Sequence, residues 1–170
     1  MKSKTPEFYL IQLALSAIMA ALVFVATMTI RIPNLMGGYF NFGDVMVFVS
    51  ALTLGPIVGG FAGGVGSALA DAIGFPVFVP YTLVIKGVEG IIAGIICNGK
   101  DIRRDIVAVV VAGAEMVLGY FLAEYYPLQW GFGGALAEVP GNIAQIVIGG
   151  VVGIPVAVVI RRRLPEILKY

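Results

Sequence analysis

The chain has 170 residues, 59% of them hydrophobic and 12% charged, and a mean hydropathy of +0.99. Its apolar runs are too long for the strands of one soluble core and point to an integral membrane protein. A net charge of +1 gives no basis for nucleic-acid binding, one cysteine (Cys97) argues against an intramolecular disulfide or thiolate metal cluster, and the absence of histidine removes the usual transition-metal and haem ligand. No metal, cofactor or redox chemistry is expected.

Lys2 and Lys4 precede an apolar stretch as they do in a secretory signal, but the stretch runs from about Tyr9 to Ile30 and further apolar spans follow it. It is therefore a first transmembrane helix, at about 9–30. The others are expected at about 44–54, 56–74, 80–98, 105–125 and 136–160. The second is short, roughly 16 Å at 1.5 Å per residue, and needs the preceding loop to complete its crossing. The split near Leu54-Gly55-Pro56 rests on the positive-inside rule. Lys2 and Lys4, then Lys100, Arg103 and Arg104, then Arg161, Arg162, Arg163 and Lys169 share one side only if an even number of crossings separates each cluster from the next. The expected fold is all-α: a single six-helix transmembrane domain over 1–170 with both termini cytoplasmic.

Polar residues then fall at definite depths. Helix 4 enters from outside, so Lys86 and Glu89 lie roughly 9 and 13 Å below its outer end. Glu115 sits near mid-membrane with Tyr120, Glu124 and Tyr125 above it, and helix 6 descends through Glu138, Asn142 and Gln145. The inner halves, such as 91–96 and 147–160, carry no charge. A charge or amide facing hydrocarbon costs on the order of 2.5–3.5 kcal/mol, so these groups should converge on one another or on a hydrated pocket open to the exterior. The spacings i,i+3 for Lys86 and Glu89 and i,i+4,i+7 for Glu138, Asn142 and Gln145 set each group on one helical face. Purely structural pairing is the competing account of Lys86, Glu89 and Glu115. Asp44, after Asn41-Phe42-Gly43, reads as a helix N-cap, and Asp71 as a prop for the outer turn before Gly74.

"GPIVGGFAGGVGSALA" at 55–70, Gly149 with Gly153, and Ala14, Ala17 and Ala21 on helix 1 are small-residue ridges for close helix packing; on an outer helix such a ridge can also dock another membrane protein. The outer loops "RIPNLMGGYFNFG" at 31–43 and "YYPLQWGFGG" at 125–134 suit either an interfacial aromatic belt or lids over a ring-shaped ligand, with Trp130 placed to stack on a heterocycle.

"GGYFNFGDVMVFVSALTLGPIVGGFAGGVGSALADAIG", "VIKGVEGIIAGII" and "EVPGNIAQ", with the Ala-x-x-x-Ala of helix 1, resemble the substrate-capture (S) subunits of energy-coupling factor (ECF) vitamin transporters, the riboflavin-type branch most closely. The resemblance covers essentially the whole chain. It implies a subunit that captures a water-soluble vitamin or precursor outside, beneath the first loop and among helices 4 to 6. It also implies inward delivery by toppling in the bilayer, in complex with a transmembrane coupling subunit and two ATPases. The substrate-binding candidates are Phe40, Asn41, Tyr81, Lys86, Glu89, Glu115, Tyr120, Trp130, Glu138, Asn142 and Gln145; Ala14, Ala17 and Ala21 would meet the coupling subunit. No Gly-x-x-x-x-Gly-Lys-Ser/Thr loop is present, so ATP hydrolysis falls to partners. Riboflavin binders of the family pair the helix 6 amide with a lysine one turn on, and this chain has Gln145 there. Several acids against one lysine favour a cationic or electron-poor ring, a thiamine-type pyrimidine or pyridoxine-like pyridine, over an anion such as pantothenate, while Lys86 leaves riboflavin open. Two other classes compete: a membrane enzyme using Glu89, Glu115 and Glu138 for acid–base work, and a membrane scaffold.

Overall fold

The computed structural model describes residues 6–33 and 39–163; Lys2, Lys4 and Lys169, and residues 34–38 of the first loop, lie outside the described residues. Six helices follow in order: α1 (Pro6–Thr29), α2 (Gly43–Leu54), α3 (Pro56–Gly74), α4 (Val79–Ile96), α5 (Ile102–Tyr125) and α6 (Gly131–Arg163). Between α1 and α2 the chain forms a hairpin of β1 (Arg31–Pro33) and β2 (Tyr39–Asn41), antiparallel with Arg31 opposite Asn41. A 3-10 turn at Pro76–Phe78 leads into α4. All helices except α2 are long and apolar enough to cross a membrane. At 12 residues α2 spans only about 18 Å, and the hairpin stands at its outer end.

The reversal between α2 and α3 is local chemistry. Gly55 adopts φ +87°, where a side chain would be strained, its N–H bonds the Ala51 carbonyl at 3.1 Å, and Pro56 supplies a φ already fit for a first helical residue. Helix α6 starts at Gly131, earlier than the sequence reading places it, and continues through Pro140 and Pro155. Each proline leaves the carbonyl four residues earlier, on Leu136 and Val151, without its intrahelical donor.

The glycine ridge of α3 is spent inside the molecule. A Cβ on Gly90 of α4 would stand 2.2 Å from the Gly59 carbonyl oxygen, and one on Gly63 would stand 2.5 Å from that of Lys86, so the two backbones touch. Gly149 of α6 similarly seats Phe48 and the Asp44 Cβ of α2. Ala14, Ala17 and Ala21 of α1 are by contrast all exposed, among Leu10, Leu13 and Ile18. Ser16, Thr27, Ser50 and Thr53 are buried, and each hydroxyl donates to the carbonyl four residues earlier, so it needs no partner from another helix.

Arg161, in the last turn of α6, clasps the opposite end of the bundle. Its guanidinium donates to both carboxylate oxygens of Asp105 in the first turn of α5, to the Leu52 carbonyl at 3.2 Å and to Cys97 Sγ at 3.3 Å. Cys97 donates to Asp105 Oδ1 at 3.1 Å. Four helix ends are thereby tied together. Lys100, Arg103, Arg104, Arg162 and Arg163 flank this end, which the positive-inside rule makes cytoplasmic. The expectation of a lower end without buried charge is corrected here: Asp105 is fully buried, but its charge is cancelled in place by a bidentate partner.

Candidate functional site

Near the outer end, the helices present polar residues one turn apart toward a common space. Ser67 and Asp71 come from α3, Thr82 and Lys86 from α4, Tyr120 and Glu124 from α5, and Glu138, Asn142 and Gln145 from α6; Thr27 and Phe78 complete the walls and Tyr39 and Asn41 of β2 cover it. Residues four apart share a helical face and residues two apart share a strand face, so this lining follows from periodicity once the helices are aimed. The cavity volume is about 40 Å³.

The cover is pinned to α3. Tyr39 stacks on Phe75 with centroids 4.6 Å apart, the Arg31 guanidinium lies 4.8 Å over the Tyr39 ring, and Arg31 Nη2 donates to the Ala70 carbonyl at 2.5 Å. The Tyr39 hydroxyl donates to Asp71. Burial and the Asp71 carboxylate push this phenol well above its usual range, which keeps it a donor.

Electrostatically the chamber is lopsided. Asp71, Glu124 and Glu138 line it, and Glu124 and Glu138 are close enough to repel each other; Glu124 Oε2 is buried without a hydrogen bond. Lys86 is the single cation among the described lining residues, and it is already claimed. Its ammonium donates to Asp44 and lies 3.0 Å from Glu89 Oε2, both acids being essentially inaccessible. The 3.0 Å contact is a buried ion pair between residues three apart on α4. Thr82 and Tyr120 share a hydroxyl–hydroxyl bond of 2.9 Å, and Gln145 Nε2 donates to Asn142 Oδ1 at 3.2 Å. Among the described residues no group of three or more His, Cys, Asp or Glu is arranged to hold a metal ion.

Of the residues singled out from the sequence, Asn41, Lys86, Tyr120, Glu138, Asn142 and Gln145 meet at this chamber. Glu89 lies behind Lys86. Phe40 points to the other face of β2 and packs edge-on against Phe42 at 5.6 Å, and Tyr81 packs with the Ile85 and Met116 cluster. Glu115 is half-buried outside the lining, and Trp130 meets the chamber only through Phe78, 5.4 Å away and edge-on. Asp44 is a correction: α2 has no side-chain cap, and this carboxylate is turned inward onto Lys86. Burial decides it, because an inaccessible lysine must have a counter-charge. Sequence reasoning passes over Thr27, Tyr39, Ser67, Phe78 and Thr82, sets Glu124 among the converging outer-half groups without carrying it into the binding set, and gives Asp71 a structural role; the i,i+4 pairs Ser67/Asp71, Thr82/Lys86 and Tyr120/Glu124 are the available signal.

Residues 8–162 match the family model described as "ECF-type riboflavin transporter, S component". A Pyrococcus woesei protein, described as an uncharacterized protein in the gap 3′ region, is 46% identical over 149 residues, 86% of this chain and 99% of its own. The thiamine precursor transporter HmpT of Lactococcus lactis subsp. cremoris (strain MG1363) is 30% identical over 141 residues, 81% of this chain and 80% of its own. The S component of a bacterial ECF transporter has a similar fold, with a TM-score of 0.62 at 22% identity, covering 94% of this chain and 98% of that one.

Proposed function

The chain belongs to the family of S components of ECF-type riboflavin transporters, and from that premise we propose that its chamber captures a compact, amine-bearing heterocycle of the thiamine-precursor pyrimidine type. The family consists of multi-pass cytoplasmic-membrane proteins that capture vitamin-type solutes for an ECF transporter, as substrate-binding subunits rather than enzymes.

The observation that carries the choice of ring is the charge balance of the lining. Three carboxylates, Asp71, Glu124 and Glu138, line the chamber with one cation among the described lining residues, Lys86, which is neutralised from behind; Arg31, over the Tyr39 ring and outside the lining, acts on Asp71. A 4-aminopyrimidine offers an exocyclic amine and, across the ring, a basic nitrogen that becomes a charged donor once protonated, so its two donors can each meet a carboxylate of the lining in a charge-assisted hydrogen bond. An anionic vitamin would add like charge to a low-dielectric space. Size agrees: at about 10–15 Å³ of such volume per water, a cavity of about 40 Å³ holds roughly three waters, the bulk of one six-membered ring rather than a fused three-ring system. The relation to HmpT supports the same class.

Within this reading Tyr39 and Tyr120 flank the ring, Glu124 and Glu138 take its amine edge, and Asn142 and Gln145 bind its remaining polar atoms. Delivery proceeds by toppling of the whole bundle in a complex with a coupling subunit and two ATPases, with Ala14, Ala17 and Ala21 as the docking ridge. Their exposure on α1, when the other small-residue ridges are buried, supports that role.

The test is a thermal-unfolding screen of detergent-purified protein against 4-amino-5-hydroxymethyl-2-methylpyrimidine, thiamine, pyridoxine, riboflavin and pantothenate. Stabilisation by the aminopyrimidine, saturable and without chemical conversion, is expected. Stabilisation by riboflavin or pantothenate and not by the aminopyrimidine overturns the reading.

A further inference from the structure

We infer that Asp44 is a positioning residue for solute selection: it holds Lys86 so that this ammonium offers hydrogen-bond donors to the chamber without offering net positive charge. The inference rests on the capture reading above and adds to it the determinant that rejects anions.

Lys86 projects from α4 into the chamber floor, where it lines the cavity between Thr82 and Tyr120, its Nζ 5.8 Å from the Tyr120 ring. An ammonium has three N–H donors and no acceptor. One is directed at Asp44 and at most one more at Glu89, 3.0 Å away, so at least one of the three is left for the chamber that Lys86 lines. One lysine faces two carboxyl groups, and the sum is zero or negative whichever form Glu89 takes. Asp44 comes from α2, a helix with no part in the lining, and it is 1% exposed. Its place is fixed by packing: Gly149 of α6 leaves no room beyond the Asp44 Cβ, since a side chain there would approach it to 3.1 Å. The carboxylate is therefore held against the lysine from the side opposite the solute.

An uncompensated buried lysine would be an anion trap. With Asp44 in place, a neutral acceptor such as a ring nitrogen or hydroxyl gains a donor from Lys86, whereas a carboxylate gains little from Lys86 and meets Asp71, Glu124 and Glu138. Asp44 thus selects through Lys86 and touches no solute.

The experiment compares binding of 4-amino-5-hydroxymethyl-2-methylpyrimidine with that of its 5-carboxylate, by calorimetry on purified protein. Wild type is expected to favour the alcohol by at least about tenfold, the worth of one charge-assisted contact. Asp44→Asn should narrow that ratio by about tenfold by gaining the acid, and in a Lys86→Met background the same substitution should leave the ratio unchanged. Equal weakening of both ligands by Asp44→Asn, or the same change of ratio without Lys86, overturns the inference and makes Asp44 structural. If Asp44→Asn does not fold, the comparison of Lys86→Met with Lys86→Met/Asp44→Asn, which removes both charges, decides: a ratio that moves between them overturns it. Should wild type take pyridoxine instead, the pyrimidine reading fails while the ratio of pyridoxine to 4-pyridoxate scores this inference in the same variants; binding of neither pair overturns both.

Discussion

The two ends of the bundle handle buried charge in opposite ways. At the cytoplasmic end Arg161 and Asp105 meet as fork and carboxylate, and the guanidinium's remaining reach goes to the Leu52 carbonyl and Cys97. At the outer end carboxylates and amides surround a cavity, and the lining atoms Glu124 Oε2 and Gln145 Oε1 are buried without a hydrogen bond. One end is internally complete and the other is not. A polar group withdrawn from water without a partner costs about 1–3 kcal/mol, so the incompleteness is a standing cost that a bound solute can relieve.

The comparison is sharpened first at the clasp. Arg161→Ala strands the Asp105 carboxylate in a buried place and should destabilise the protein by about 3–5 kcal/mol, read as a fall in detergent unfolding temperature, with partial recovery when Asp105→Asn is added. Unfolding at the wild-type temperature would break the contrast. At the other end, Glu124→Gln should weaken aminopyrimidine binding by about 2 kcal/mol, roughly thirtyfold, while the unliganded protein unfolds no earlier, because one of two mutually repelling acids has gone. A drop in unfolding temperature as large as that of Arg161→Ala would make Glu124 a structural group. Asn142→Ala removes one neutral partner and should cost about 1 kcal/mol of affinity; equal loss of affinity and stability would assign it to the fold alone. Ala17→Leu should leave solute affinity and unfolding unchanged in the isolated subunit, yet block uptake by the assembled transporter in vesicles. Normal uptake would take the docking role from α1.

Much of the architecture was legible because hydropathy and charge report directly on the bilayer. Charge clusters and Gly55-Pro56 marked the six helices, and i,i+4,i+7 spacing marked Glu138, Asn142 and Gln145 as one row. What could not be read is which rows face one another. Asp44 sits 42 positions from Lys86, and no periodicity links them; only the approach of α2 to α4 under Gly149 does. Tyr39 was hidden for a different reason, since three-residue strands give alternation too little length to show. Trp130 and Tyr81 carried the right chemistry for stacking, but packing took their rings for Phe78 and for the Ile85 cluster.

Helix α6 leaves the ribosome after the other five described helices, and it brings the Glu138–Gln145 row and Arg161 together. Before it arrives, α3 and α4 can already be seated on each other, since their contact is largely backbone against backbone and freezes few rotamers. A nascent chain that stops short of residue 131 therefore has a paired scaffold, an open-sided chamber and an Asp105 still waiting for its cation. Biogenesis should end in one concerted step, visible on length-arrested chains as an abrupt gain of protease resistance once Arg161 has cleared the exit tunnel. A gradual gain spread over the length of α6 would argue for piecemeal docking instead.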